Sequence, residues 1–144
     1  MSIMSAEELY SDGQAITATV ASTNVIDHGD PGTWVHSSIK IVDDKGMSGI
    51  ALGLVVTEAF DNLTNIAFAF QTDNNAAFGS GTTIFSETIV LASLVVGAKM
   101  AVRFIPHTTL EQYTRFNYTV TGTTPTVGKV TAGIMKLEST WGNR

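Results

Sequence analysis

The feature that most constrains the fold is the alternation in "QYTRFNYTVTGTTPTVGKVTAGI", residues 112–134. Phe116, Tyr118 and Val120 occupy every second position, and apolar residues alternate again after the turn formers "TGTTPTVG". Alternation with a period of two places the apolar side chains on one face of a strand. The segment therefore predicts two antiparallel strands whose second face consists mostly of threonine, asparagine and glycine.

Similar pieces recur along the chain, with a cluster of turn-forming residues about every ten residues. Ile66, Phe68 and Phe70 share one face of such a piece and are predicted to lie in the core. The pattern indicates an all-β fold, an antiparallel jelly-roll-like β-sandwich of about eight strands. The predicted strands lie within 14–23, 35–42, 49–60, 64–72, 82–91, 94–106 and the two halves of 112–134.

The first residues are patterned differently from the rest. Ser5 and Glu8 have the spacing of a capping box, in which each side chain satisfies an amide of the first helical turn. The N-terminus is accordingly predicted to be a short arm or helix. The predicted organisation is an arm at 1–12, one sandwich domain at 13–136 and a tail at 137–144.

The composition excludes several classes of function. Charged residues make up 15% of the 144 residues, the net charge is −5, and no basic run exists, so nucleic acid is not an expected partner. The absence of cysteine excludes disulfides and thiolate catalysis. The longest apolar stretch, 89–102, is interrupted and shorter than the roughly 20 residues of a membrane helix, so no membrane contact is expected.

Candidate metal ligands are Asp27, His28, Asp30 and His36, with His107 farther along the chain. The first three belong to a Pro- and Gly-containing turn, where aspartate commonly bonds nearby amides. The chain also lacks a nucleophile-elbow motif and a suggestive pair of carboxylates. We therefore predict no catalytic residue, no metal site and no cofactor, and we expect that the protein is not an enzyme.

Four side chains are candidates for a protein interface: Leu9, Tyr10, Trp34 and Trp141. Leu9 and Tyr10 lie in the predicted arm, and Trp141 lies in the polar tail. Tryptophan and tyrosine are over-represented among the residues that dominate binding energy at interfaces. A plug at one end of the sandwich is the alternative for Trp34. If the arm reaches a neighbouring subunit, removal of residues 1–10 leaves the fold intact.

Three blocks carry a family resemblance: "SDGQAITATVASTNVIDHG" (11–29), "LVVTEAFDNLTNIAFAFQTD" (54–73) and "RFIPHTTLEQYTRFNYTVTGTTPTVGKVTAGI" (103–134). Together they resemble the capsid cement, or decoration, proteins of tailed bacteriophages, of the Bordetella-phage type. Residues 28–47, the first ten residues and the tail after Met135 depart from that pattern.

The resemblance implies a structural virion protein, made in the host cytoplasm, that stabilises the outer surface of a phage capsid. Its implied partners are the phage major capsid protein and copies of itself, as a homodimer or homotrimer. The alternative from a different class is a carbohydrate-binding jelly-roll module or tail-fibre head. That alternative predicts a groove with exposed aromatic residues, for which Trp34, Tyr113 and Tyr118 are the candidates.

Overall fold

The computed structural model describes residues 2–28, 51–100, 103–104 and 111–137, with side chains at 9–28, 51–100 and 111–134. Nine strands and one short 3-10 helix (Leu91–Ser93) form this part of the chain. The strands are β1 (Ser2–Ala15), β2 (Val20–Ala21), β3 (Ile26–Asp27), β4 (Ala51–Glu58), β5 (Leu63–Asp73), β6 (Thr82–Val90), β7 (Arg103–Phe104), β8 (Tyr113–Gly122) and β9 (Lys129–Leu137).

The strands form two antiparallel sheets that enclose the core. Sheet A has the order β1-β9-β4-β7, and sheet B has the order β2-β8-β5-β6, with β3 also paired to β8. The pairings are nested along the chain, since β1 pairs with β9, β2 and β3 with β8, β4 with β7, and β5 with β6. If β2 and β3 are counted as one interrupted strand, this is the eight-stranded jelly roll that the sequence predicts.

The alternating pattern located most of the strands correctly. β4, β6 and β8 lie within their predicted segments, β5 exceeds its segment by one residue at each end, and β9 continues three residues beyond 134. The first six residues of β4 are buried or nearly so. The prediction for 14–23 is wrong, because β1 ends at Ala15 and the chain bends before the two-residue β2. Of the residues described within 94–106, those at 94–100 form a loop with one isolated bridge, and 103–104 form β7. The segment 35–42 lies outside the described residues.

The predicted N-terminal arm or helix is also wrong. Residues Ser2–Ala15 form a single strand that pairs with β9 from Ser2↔Leu137 to Ala15↔Lys129. The predicted domain boundary at residue 12 therefore falls inside β1. Three register shifts interrupt the pairing, which explains why this strand does not show a regular alternation. The predicted tail lies outside the described residues apart from Leu137.

The core is built on aromatic side chains from three strands. Tyr10 of β1 packs edge-to-face on Phe70 and Phe116, with ring centroids 5.9 and 5.4 Å apart. Phe68 and Tyr118 form a further edge-to-face pair at 5.7 Å. All five rings are fully buried, and edge-to-face contacts add to the free energy gained from burying their area. The prediction that Phe68 and Phe70 belong to the core is confirmed.

The two buried tyrosines reach polar partners through their hydroxyl groups. Tyr10 Oη lies 2.7 Å from Thr114 Oγ1, which also lies 2.8 Å from His28 Nε2. Tyr118 Oη lies 2.6 Å from Ser11 Oγ, and burial raises the pKa of this phenol well above its ordinary value. These bonds join β1 of sheet A to β8 of sheet B through the interior. A buried hydroxyl without a partner would instead cost about 1–3 kcal/mol.

One carboxylate, Asp61, holds the β8–β9 hairpin against the β4–β5 turn. Its Oδ1 accepts hydrogen bonds from the amides of Thr126 (2.6 Å) and Val127 (3.2 Å), and its Oδ2 accepts one from the Thr126 hydroxyl. The hydroxyl bond, together with the two amide bonds, lowers the pKa of Asp61 below its usual value of 3.8.

This lowered pKa makes the stability of the hairpin contact dependent on pH. Because the folded-state pKa lies below the unfolded value, the contribution is complete above 3.8 and is lost as pH falls through the folded pKa. We expect Asp61→Asn to lower the melting temperature at neutral pH and to have much less effect at a pH well below 3.8. The exposed Asp12→Asn serves as the control, and an equal effect of the two variants would contradict the prediction.

Candidate functional site

The most distinctive surface of the described chain is the outer face of sheet B. On β5 and β8 the core-facing side chains alternate with side chains that point away from the core. The outward side chains are uncharged over three consecutive rows of paired residues. We call these residues the uncharged face: Ala21, Asn65, Ala67, Ala69, Ser86, Thr88, Val90, Asn117, Thr119 and Thr121.

The strand register places these residues in rows across the sheet. The central row is Thr88, Ala67 and Thr119, because Ala67 of β5 pairs with both outer residues. The row on one side is Ser86, Ala69, Asn117 and Ala21, and the row on the other side is Val90, Asn65 and Thr121. Each row therefore has a small or amide side chain in its middle strand, with hydroxyl, amide or aliphatic groups beside it.

This arrangement is well suited to contact with another protein. Short side chains lose little rotamer entropy when they are covered, and the face carries no charge that would have to be desolvated. The cores of protein interfaces are likewise depleted of lysine, glutamate and aspartate. The threonines of β8 thus have a structural role in the sheet and also contribute to a neutral surface.

The uncharged face ends at a charged row. Arg115 of β8 pairs with Gln71 of β5, and its Nε donates a 3.0 Å hydrogen bond to Gln71 Oε1. The guanidinium lies 4.2 Å from the centre of the Phe78 ring, a distance at which a cation attracts an aromatic face. Arg115 is thereby fixed at the border and does not project over the face.

A second surface feature is an open groove of about 590 Å³ beside β3. Leu9 lines it together with residues of the β2–β3 segment, Thr23 to Asp27, and with Ala76. Leu9 is half-buried, and its carbonyl accepts a 3.1 Å hydrogen bond from Asn24 Nδ2. Its interface role stays a prediction.

The remaining predicted interface residues have different outcomes. The prediction that Tyr10 is an interface residue is wrong. Its ring is fully buried against Phe70 and Phe116 and cannot contact a neighbouring subunit. Trp34 and Trp141 lie outside the described residues. Of the residues proposed for a sugar-binding groove, Tyr118 is fully buried and Tyr113 is half-buried, so Tyr118 cannot stack on a sugar.

The candidate metal ligands are only partly described. Asp30, His36 and His107 lie outside the described residues, and His28 bonds Thr114. Within the described ranges, no group of three or more histidine, aspartate or glutamate side chains is placed to hold a metal ion. The same part of the chain contains no helix with the length and apolarity needed to cross a bilayer.

Comparison with known families extends these observations. The family model Bbp16 matches residues 10–134, which is most of the chain. The chain belongs to the Bbp16 family. Bbp16 is a phage-associated family, so the coarser part of the resemblance to phage proteins is confirmed. No curated protein matches the chain.

The part that matches Bbp16 coincides with the packed part of the sandwich. It begins at Tyr10, the β1 residue that packs into the aromatic core, and ends at Ile134 in β9. Every residue of the uncharged face lies inside it. The family signal therefore covers both the core and the surface described above.

Sequence reasoning identified the threonine-rich side of 112–134 but not the complete face. The contributions of β5 and β6 depend on which strands become neighbours, and the alternation in one strand carries no information about that. Ala67 and Ala69 alternate with core aromatics in "NIAFAFQ", and this was the available signal. Small residues that alternate with strongly apolar ones lie on the outer face of the strand. Another molecule can approach such a face closely, because no bulky side chain covers it.

Proposed function

We propose that this Bbp16-family protein is a non-enzymatic structural component of a phage virion. It binds the outer surface of the capsid as a small symmetric oligomer and stabilises the shell by bridging major capsid protein subunits. The observation that supports the proposal is the uncharged face, a neutral surface of short side chains on a chain from a phage-associated family. We assign the contact with the major capsid protein to this face.

The physical requirements of such a role agree with the fold. A protein that reinforces a shell needs a rigid scaffold, and here aromatic packing and buried hydroxyl bonds join the two sheets. It also needs broad contact surfaces and no reactive group. A symmetric oligomer can bind a shell tightly through contacts that are individually weak. Once one contact forms, the next is intramolecular and forms at a high effective concentration.

Exposed aliphatic side chains provide further contact area next to the face. Val95 and Val96, shortly after the end of β6, are each more than half exposed, as is Val90 of the face itself. The largest exposed patches on soluble proteins commonly mark sites of interaction. This stretch is therefore a second candidate for contact with the shell.

The test uses capsids assembled from the major capsid protein of the same phage without this protein. We expect the purified chain to sediment with these capsids, to saturate at a fixed ratio to the major capsid protein, and to raise the temperature at which they come apart. If the chain stays in the supernatant at all concentrations, the proposal is overturned.

A matched pair of variants tests the assignment to the uncharged face. Thr119→Lys places a charge in the central row of the face, whereas Thr57→Lys places the same charge on an exposed residue of β4 in sheet A. We expect Thr119→Lys to weaken capsid binding at least about tenfold, because an unpaired ammonium must be desolvated. Equal binding by the two variants would show that the shell contacts another surface.

A further inference from the structure

A single arginine lies at the border between the uncharged face and a loop that overlies the same sheet. Arg115 points outward from β8 beside Gln71 of β5, and the nearest row of the face contains Asn117. The next outward residue of β5 after Gln71 is Asp73, which is fully buried beneath the loop at 74–81. The guanidinium therefore has the face on one side and the loop on the other.

Two contacts hold the guanidinium in this position. Its Nε donates a 3.0 Å hydrogen bond to Gln71 Oε1, and its Cζ lies 4.2 Å from the centre of the Phe78 ring. Phe78 has φ +53°, a conformation that is unusual for a bulky side chain. Strained residues of this kind persist where the surrounding structure fixes them, and they are concentrated at functional sites. Arg115 is thus positioned before a partner arrives.

The loop that carries Phe78 is anchored by the carboxylate of Asp73. Its Oδ1 accepts a 3.0 Å hydrogen bond from the Asn75 amide, and its Oδ2 accepts a 2.9 Å bond from the Ser80 amide. The Ser80 hydroxyl lies 3.2 and 3.3 Å from the two oxygens. Asp73 attracts Arg115 electrostatically, but the loop occupies its oxygens, so the two side chains make no direct hydrogen bond.

The outer end of the guanidinium carries donors that the described chain does not use. Among the described residues, Nε is the only donor of the Arg115 side chain that has an acceptor. No buried polar side-chain atom in this part of the chain lacks a partner, so the Nη groups reach solvent. By contrast, the ammonium of Lys129 lies 3.3 Å from Glu58 Oε2. Arg115 is also the only cation in β5, β6 and β8.

We infer that Arg115 is a binding site for a carboxylate of the major capsid protein, from an aspartate or glutamate side chain. This inference rests on the proposed function, because it assigns one specific contact at the border of the face that meets the shell. The Nη hydrogens of arginine form a planar fork that matches the two oxygens of a carboxylate. The carboxylate approaches from the side of the uncharged face, since Phe78 and its loop occupy the other side.

Such a contact supplies what the uncharged face lacks. Neutral side chains can be covered at little cost, but they do not determine the orientation of the partner. A charge-assisted bond with two parallel hydrogen bonds adds geometric specificity as well as affinity. A position at the border also agrees with the anatomy of interfaces, in which charged groups are depleted from the core and occur at the rim.

The test measures binding to capsids assembled from the major capsid protein of the same phage without this protein. We expect Arg115→Gln to weaken binding at least about tenfold, because the partner carboxylate loses its cation. Arg115→Lys keeps the charge but loses the fork, so its binding should be intermediate. Lys129→Gln removes the same charge from sheet A and should bind as the natural chain does. Salt should weaken the natural chain more than Arg115→Gln.

A second variant leaves Arg115 in place and blocks it. Gln71→Glu puts a carboxylate beside the guanidinium, where it competes with the partner for the same donors. We expect this variant to bind capsids more weakly, whereas Thr57→Glu, with the same added charge on an exposed residue of sheet A, should bind normally. The melting temperature of each variant separates a loss of binding from a loss of folding.

Charge reversal identifies the partner residue. Arg115→Glu should not bind natural capsids. It should regain binding to capsids in which one outer acidic residue of the major capsid protein is replaced by lysine. A role of Arg115 in folding alone would not produce this rescue.

The outcomes separate the inference from the proposed function. Equal capsid binding by the natural chain and Arg115→Gln would overturn the inference and leave the proposed function intact. No capsid binding by the natural chain would overturn both. If Arg115→Glu lowers the mass of the protein in solution without capsids, the carboxylate belongs to a second copy of this chain, and the assignment to the shell is overturned.

Discussion

Tyr10→Ala is expected to lower the free energy of unfolding by about 4 kcal/mol, the usual range for removing a buried aromatic ring. The ring contacts Phe70 and Phe116 edge-to-face, so its removal leaves a cavity between the sheets. It also removes the 2.7 Å bond from the Tyr10 hydroxyl to buried Thr114. Urea denaturation with a constant slope measures the loss.

The conservative variant Tyr10→Phe separates packing from hydrogen bonding. It keeps the ring and removes only the hydroxyl, while Thr114 retains His28 as a partner. We expect a loss of about 1 kcal/mol. A Tyr10→Ala variant as stable as the natural chain would contradict the structure and support a free N-terminal arm. By the same argument, deletion of residues 1–10 should destabilise the fold, contrary to the expectation from sequence.

Gly128→Ala is expected to cost about 2–4 kcal/mol, the sum of backbone strain and steric overlap. Gly128 has φ +133°, a conformation that residues with a side chain rarely adopt. A Cβ added there would also overlap the buried Phe60 ring. Its amide donates a 3.1 Å hydrogen bond to Glu58 Oε1, so the backbone cannot easily move away. The change in melting temperature and in the urea midpoint measures the cost.

Two other glycines serve as graded controls. Gly13 has φ +55° but open space where a Cβ would lie, so Gly13→Ala should cost only about 1 kcal/mol of backbone strain. Gly79 has open space and no positive φ, and its replacement should change stability by less than about 0.5 kcal/mol. Equal effects at Gly128 and Gly79 would refute the close approach to Phe60.

The sequence predicted the sandwich because its strands alternate with a regular period. Phe68, Phe70, Phe116 and Tyr118 lie in the core as their spacing requires. The nested pairing of the jelly roll could not be read from alternation, since each strand is compatible with many neighbours. The prediction of an all-β sandwich depended on the number and spacing of the strands.

The N-terminal strand was predicted wrongly because local and tertiary signals disagree there. Ser5 and Glu8 have a helix-capping spacing, but β1 gains pairing with β9 along most of its length. Tertiary packing outweighs a local helix preference of a few tenths of a kcal/mol per residue. Bulges broke the alternation that would otherwise have revealed the strand.

The candidate site was predictable in chemistry but not in position. Low charge and abundant threonine indicated a neutral contact surface, and this agrees with the uncharged face. The aromatic residue favoured in the arm, Tyr10, proved to be core, because a tyrosine in a sequence does not indicate whether its ring is exposed. The place of β6 beside β5 required the strand order of sheet B, which no local pattern contains.

The pairing of β1 with β9 determines the order in which the protein can fold. β9 lies between β1 and β4, so β1 cannot join sheet A until residues 129–137 have left the ribosome. During synthesis, sheet B lacks β8 for nearly as long. The sandwich must therefore close late and through contacts distant in sequence, which makes folding slow, on the order of milliseconds to seconds.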